Sequence, residues 1–156
     1  MSAERKGSPV LSDFDWAVRT HVYGGFAETG EAPAIGRLAA ELDSTEHRVV
    51  TALRALYGAH EVAAHGDGSV WMANPFSAVP TAYPVETPTM TCWANCAWDA
   101  LGVPAILGTD GWTRTRCAQS GAPLEFGVRG GTLDGDAGVI HLVTPLRDAW
   151  VDIGFT

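Results

Sequence analysis

The first third of the chain carries amphipathic patterns of helical period. Leu11, Phe14, Ala17, Val18 and Val22 share one face of a first helix. Ser12 is placed to cap it, and Gly24-Gly25 to end it. Pro33 opens a second, short helix with Ile35, Leu38, Ala39 and Leu42 on one side. Asp43 or Ser44 caps a third, STEHRVVTALRALYGA, whose apolar stripe is Val49, Val50, Leu53 and Leu56. Beyond Gly58, two short alternating runs flank His65-Gly66-Asp67-Gly68, a hairpin signal. Helices and a hairpin in this order predict a winged-helix-like N-terminal half.

The pattern then changes. Asn74 to Pro88, NPFSAVPTAYPVETP, is Pro-rich and reads as an extended crossing between two halves. Thr91 to Gly108, TCWANCAWDALGVPAILG, reads as a helix, with Pro88 ahead of it and Gly102 and Pro104 to stop it. Strand-like runs follow at 104–107, 113–117, 123–128 and 138–143, separated by turns at Gly111, Gly121-Ala122-Pro123, Gly130-Gly131 and Pro145. The ending AWVDIGFT resembles the start of another strand. The prediction is an α+β fold: a winged-helix-like three-helix half, then a small mixed or antiparallel sheet with a Cys-bearing helix lying on it. The expected organisation is a flexible arm at 1–11, a winged-helix-like subdomain at 12–76, a Pro-rich crossing at 77–90 and a second subdomain at 91–156.

Composition narrows the function. At 156 residues and 46% hydrophobic content the chain can bury a core without disulfide staples. A net charge of −8 argues against nucleic acid and anionic membranes, which require a positive face. The third helix carries Glu46, His47, Arg48 and Arg54 rather than a basic stripe, so the N-terminal half reads as a packing module and site wall. The 3 cysteines form no CxxC pair, and MSAERKGSPV is too polar for a secretion signal or anchor. Reduced thiols and a cytoplasmic protein are expected. His47, His60 and His65 are too scattered for zinc, and Gly130-Gly131 is a turn rather than a phosphate loop.

The candidate chemistry sits in the Cys-bearing stretch. On a helix Cys92, Cys96 and Asp99 fall on one face. A thiol in the first helical turn has its pKa lowered by the dipole, which makes it a nucleophile or a soft-metal ligand. An acid one turn on can hold or deliver a proton. The plain alternative is a buried inert cysteine beside a solvated acid. Cys92 reads as a packed apolar residue or a further ligand, and Cys117, at a strand-to-turn position, as structural. Trp93 and Trp98 are candidate walls of an apolar pocket. Asn95 either orients a polar group or faces solvent. His141, set among Val139, Ile140, Leu142 and Val143, is either structural, a further wall residue, or a base for Cys96.

The run CAWDALGVPAILG followed by RCAQSGAP resembles the organomercurial (alkylmercury) lyases, and so does the order of the elements from about Ser12 onward. The resemblance implies protonolytic cleavage of a carbon–mercury bond to a hydrocarbon and Hg²⁺. It implies Cys96 as mercury ligand, Asp99 as proton carrier and metal contact, and Cys117 as structural. No organic cofactor is implied, since mercury enters with the substrate; the expected partners are a small organomercurial and external thiols. One departure stands out: the family uses a second catalytic cysteine near the C-terminal end of the sheet, and WVDIGFT resembles the residues just before it. The expectation is a truncated sequence or a variant without that thiolate, with Cys92 or an external thiol as substitute ligand. Two alternatives follow: a non-catalytic soft-metal or organometal binder that senses or sequesters, and an enzyme using Cys96 as a nucleophile on another small molecule.

Overall fold

In the computed structural model, which describes residues 10–154, the chain is α+β. Helices α1 (Asp13–Thr29), α2 (Ile35–Glu41) and α3 (Glu46–Gly58) come first. The strands β1 (Ala63–Ala64), β2 (Val70–Ala73), β3 (Phe76–Ser77), β4 (Pro84–Glu86) and β5 (Thr91–Ala94) lead to helix α4 (Ala97–Leu107). Strands β6 (Gly111–Arg116), β7 (Pro123–Arg129) and β8 (Thr132–Gly135) follow, and a 3₁₀ turn at Leu146–Val151 closes the described chain. The strands form one antiparallel sheet in the order β1-β2-β3-β5-β4-β6-β7-β8.

Local chemistry explains most of the boundaries. Ser12 caps α1 in a capping box, its hydroxyl accepting from the Asp15 amide at 3.3 Å while Asp15 accepts from the Ser12 amide at 2.7 Å. Thr45, not Asp43 or Ser44, caps α3, its hydroxyl accepting from the Arg48 amide at 3.3 Å. Asp43 is instead spent on the turn after α2, where its φ is 46°. The β1–β2 hairpin closes over His65–Gly68, with Gly68 at φ 92°.

One core ties the helices to the sheet. Val18, Val22 and Phe26 of α1, Leu38 of α2 and Val49, Leu53 and Leu56 of α3 meet Phe76, Val85, Cys92, Ala94 and Val103. Phe26 stacks on Phe76 of β3 with ring centroids 5.0 Å apart. The segment read as a bare crossing therefore contains β3 and β4, whose residues Phe76 and Val85 are buried.

Several elements differ from expectation, each for a packing reason. Gly24-Gly25 does not end α1, which runs to a left-handed Gly30 at φ 76°. Gly25 serves the contact with the α2 approach: a methyl group there would lie 2.7 Å from Pro33 Cδ. Thr91–Ala94 is a strand rather than the start of a helix, so Cys92 does not share a helix face with Cys96 and Asp99. Gly102 and Pro104 lie inside α4 instead of stopping it. A methyl group on Gly102 would come within 3.1 Å of Pro75, and one on Gly111 within 3.0 Å of Pro104. These small and ring-bearing residues thus seat α4 on the sheet. Pro104 removes one helical donor, but the helix continues to Leu107 and is closed by Gly108 at φ 63°. The run 104–107 is accordingly helical, and 138–143 is irregular, with Val139 93% exposed. The ending is a 3₁₀ turn whose Trp150 stacks on His60 at 4.6 Å, and Phe155 and Thr156 lie outside the described residues, as do residues 1–9 of the expected arm.

The two adjacent glycines of α1 make a paired test. Nothing lies within 4 Å of a methyl group on Gly24. Gly24→Ala is expected to stabilise the fold by about 0.5–1 kcal/mol through helix propensity. Gly25→Ala is expected to destabilise it by about 1–3 kcal/mol through overpacking against Pro33. Urea denaturation of the two variants reads the difference; equal shifts would remove the packing role given to Gly25.

Candidate functional site

The site is built where β5 hands over to α4. Ala94 is the last residue of the strand, Asn95 makes the turn, and Cys96 is the extended N-cap residue of the helix, with φ −148° and ψ −178°. Asp99 lies in the first helical turn. This geometry folds Asp99 back onto its own cap. The Cys96 thiol donates to Asp99 Oδ2 at an S···O distance of 3.2 Å. The two residues that the sequence places one helical turn apart are therefore in hydrogen-bond contact.

Its electrostatics differ from expectation. Burial pushes the Cys96 thiol up to about 11, helped by the Asp99 charge and outweighing the amides of Asp99 and Trp98 that favour the thiolate. The dipole-lowered sulfur read from the sequence is thus a protonated one. Burial also raises Asp99 above the usual carboxylate range, against the hydrogen bonds from Cys96 and Asn95 that hold it down. Both groups lean towards keeping one shared proton.

The remaining candidates divide. Asn95 lies beside the pair: its amide nitrogen donates to Asn74 Oδ1 at 2.8 Å, and its side chain helps hold the Asp99 pKa down. Its own Oδ1 is buried without a partner, a state that costs about 1–3 kcal/mol. Cys92 is 2% exposed in β5, in the core beside Val85, and burial pushes its thiol up to about 11 as well. Trp93 is half-buried on β5, and Trp98 is 66% exposed on α4. Cys117 directly follows β6, where its amide donates to Ala122 and its carbonyl accepts from Gly121; the Ser120 hydroxyl and amide pull its thiol pKa down. His141 is exposed in irregular chain beyond β8.

Two residues of the site had no signal in the sequence reading. Tyr23 of α1 donates its hydroxyl to the Asn74 carbonyl at 2.9 Å. Burial raises its pKa, against the pull of the Arg19 charge and with smaller help from the charges of Glu61 and Asp99. Arg19 lies 4.5 Å above its ring and pairs with Glu61 at 2.9 Å. Only the Asn-Pro pair at 74–75 could have been noted, and it signals a turn rather than a site. Clefts of about 310 and 350 Å³ lie elsewhere, one beside Trp112 and Arg129 and one between α1 and α2. Among the described residues no group of three or more His, Cys, Asp or Glu is arranged to hold a metal ion. Among the same residues no helix is long and apolar enough to cross a membrane.

Comparison with known proteins points one way. The sequence model of the alkylmercury lyase (MerB) family matches residues 76–155, which include β3 to β8, α4 and the Cys96–Asp99 pair. The fold is similar to a crystal structure of the mercury-bound form of MerB2, with a TM-score of 0.65 and 22% identity over 80% of this chain. The chain spans 60% of that structure's length. No curated protein matches the sequence.

The inverted order of the thiols is open to measurement. A thiolate alkylates and a thiol does not, so a raised pKa slows the reaction at neutral pH. At pH 8 iodoacetamide is expected to label Cys117 first. Labelling of Cys96 should rise about tenfold per pH unit and level off only near its pKa of about 11. Peptide-resolved mass spectrometry follows the three sites, and fast labelling of Cys96 at pH 7 would contradict the burial argument.

Proposed function

The chain belongs to the alkylmercury lyase family, and on that footing we propose that it cleaves the carbon–mercury bond of small organomercurials by protonolysis. The observation that carries the reading is the Cys96 thiol held 3.2 Å from the Asp99 carboxylate at the head of α4. Mercury is soft and prefers thiolate to water or oxygen ligands. An incoming R–Hg⁺ replaces the thiol proton: the S–H bond breaks, an S–Hg bond forms, and the proton passes to Asp99 Oδ2. A thiolate supplied from outside then adds to mercury. The extra electron density moves towards carbon, the C–Hg bond breaks with its electron pair on carbon, and that carbon takes the proton from Asp99. Hydrocarbon leaves, Asp99 returns to carboxylate, and Hg²⁺ remains as a dithiolate.

The raised pKa of Asp99 suits this sequence of events. A carboxyl that favours its proton accepts one from the thiol more readily, and the desolvated surroundings strengthen the hydrogen bond along which it moves. Mercury arrives with the substrate, so the reading calls for no resident cofactor.

Release of benzene from phenylmercury acetate in excess cysteine tests the proposal. The wild-type chain is expected to turn over. Cys96→Ser is expected to abolish release, and Asp99→Asn to lower it by about 10²-fold or more, the usual weight of a positioned proton donor. No release by the wild type would remove the lyase reading, and equal release by all three would remove the assignment of the pair.

A further inference from the structure

The chain beyond β8 is fixed at two places on opposite ends of the sheet. At the first, Asp136 is held beside β7: its amide donates to the Glu125 carbonyl at 2.7 Å, and its carboxylate accepts from the Glu125 amide at 2.8 Å. β8 is one edge of the eight-stranded sheet, and β1 and β2 lie at the other. The second place is at that other end. The Trp150 indole lies 4.6 Å from the His60 ring, 6° from parallel, and edge-on to Tyr57 of α3 at 5.8 Å. Gly154 lies so close to Trp71 of β2 that a methyl group on it would collide with the far edge of that ring. Trp71 in turn stacks on His65 of the β1–β2 hairpin at 5.3 Å. The chain between these places is spent on distance. Eight strands about 4.8 Å apart make a flat sheet roughly 34 Å wide. The roughly 14 residues from Asp136 to Trp150 reach at most about 46 Å. With 138–143 laid along β8, the remainder would reach only about 26 Å. A run with a strand-like pattern is thus drawn out as irregular chain, with Val139 93% exposed.

We infer that residues 146–154 are a detachable clasp. Closed, it ties the β8 end of the sheet to α3 and the β1–β2 hairpin through the Trp150 and Gly154 contacts. Open, it leaves the sheet and the helical core intact and uncovers Tyr57, His60 and Trp71. The two parts are built differently. The core is a cluster of fully buried aliphatic and aromatic side chains shared by the helices and the sheet. In the clasp Ala149 is buried, whereas Leu146 is 69% and Val151 88% exposed. A segment with few buried side chains at the end of an exposed tether opens locally at lower cost than the core it rests on. The inference goes beyond the lyase reading and does not rest on it.

NMR of the histidine rings in the full chain, at one fixed pH, reads the clasp directly. A proton held over the face of an indole is shielded. The His60 ring signals are therefore expected upfield of those of His47 and His141, which are exposed and serve as references. Trp150→Ala should return His60 to the position of the references. In the same variant His65 should keep its own upfield shift, because its partner Trp71 belongs to β2. The methyl signals of Val18, Val22 and Leu53 in the core should not move. In a urea titration of the wild type, the His60 shift should be lost at a lower concentration than those methyl signals. A wild-type His60 at the reference position overturns the closed clasp. Loss of the His60 shift and of the core signals in one transition overturns its detachment. Core methyl signals displaced by Trp150→Ala overturn the inference too, since Trp150 would then be part of the core. Should Trp150→Ala fail to fold, Gly154→Ala decides: it drives a methyl group into Trp71 and leaves every buried aliphatic side chain in place. It is expected to move the His60 transition to lower urea with the core transition unchanged. A His60 transition left at the wild-type concentration, or a core transition that moves with it, overturns the clasp.

Discussion

Everything at the site follows from one hydrogen bond in a poor solvent: a neutral thiol donating to a carboxylate, both largely withdrawn from water. Two influences compete for the sulfur. The first turn of α4 aims its amides at Cys96 and favours the thiolate. Burial, joined by the negative charge of Asp99, favours the thiol. Helix ends act through partial charges and contribute about 0.3–1 kcal/mol at exposed sites. Withdrawal of a full charge from water can shift a pKa by as much as about 3–5 units. Burial therefore prevails, and the proton stays between the two groups.

The fold makes that burial possible at a place where chain would ordinarily be open. Helix N-termini expose unsatisfied amides and are usually wet. Here the cap residue is extended, continuing the line of β5 beyond the end of the strand, so the sheet itself brings the sulfur to the head of α4. Close seating of α4 supports it: Gly102 lets Pro75 approach, and Gly111 lets Pro104 approach. On the other side α1 is stitched to the β2–β3 turn by Tyr23 and by the Phe26–Phe76 stack. The helical half is therefore packed against the β2–β3 turn through two contacts that can be named, whatever else that half does.

The sequence was informative where a signal is local. The N-cap at Ser12, the hairpin at His65–Gly68 and the Cys96–Asp99 spacing each depend on residues within a few positions of one another, and the structure shows the cap, the hairpin and the contact between the pair. It misled where tertiary contacts set the outcome. Gly24-Gly25 and Gly102 with Pro104 carry strong stop signals, yet in both places a neighbouring proline ring needs the space, and the helix continues through. Cys92 fits a helical face by spacing, but Thr91–Ala94 finds partners in β3 and β4, and pairing fixes it as strand. The run 138–143 alternates like a strand, but β8 already pairs with β7 and the run lies in irregular chain beyond it. Tyr23 and Asn74 are far from Cys96 in sequence, and no periodicity could have joined them to it.

A thiol kept protonated is, on its face, a poor ligand, and under the proposed function that defect would supply selectivity. Any cation that binds Cys96 must displace a proton from a sulfur whose pKa is about 11. At neutral pH that requirement charges each candidate ligand the same toll, roughly 1.4 kcal/mol for every unit between the solution pH and the pKa. Hard cations such as Mg²⁺ and Ca²⁺ gain little from sulfur and have oxygen ligands in plenty elsewhere. Soft cations gain enough from the metal–sulfur bond to meet it. The displaced proton has somewhere to go, because Asp99 is adjacent and is itself held above the ordinary carboxylate range. Under the proposed function, burial would filter ligands by softness and, in the same act of binding, load the acid with the proton that a carbon–metal bond needs in order to be cut.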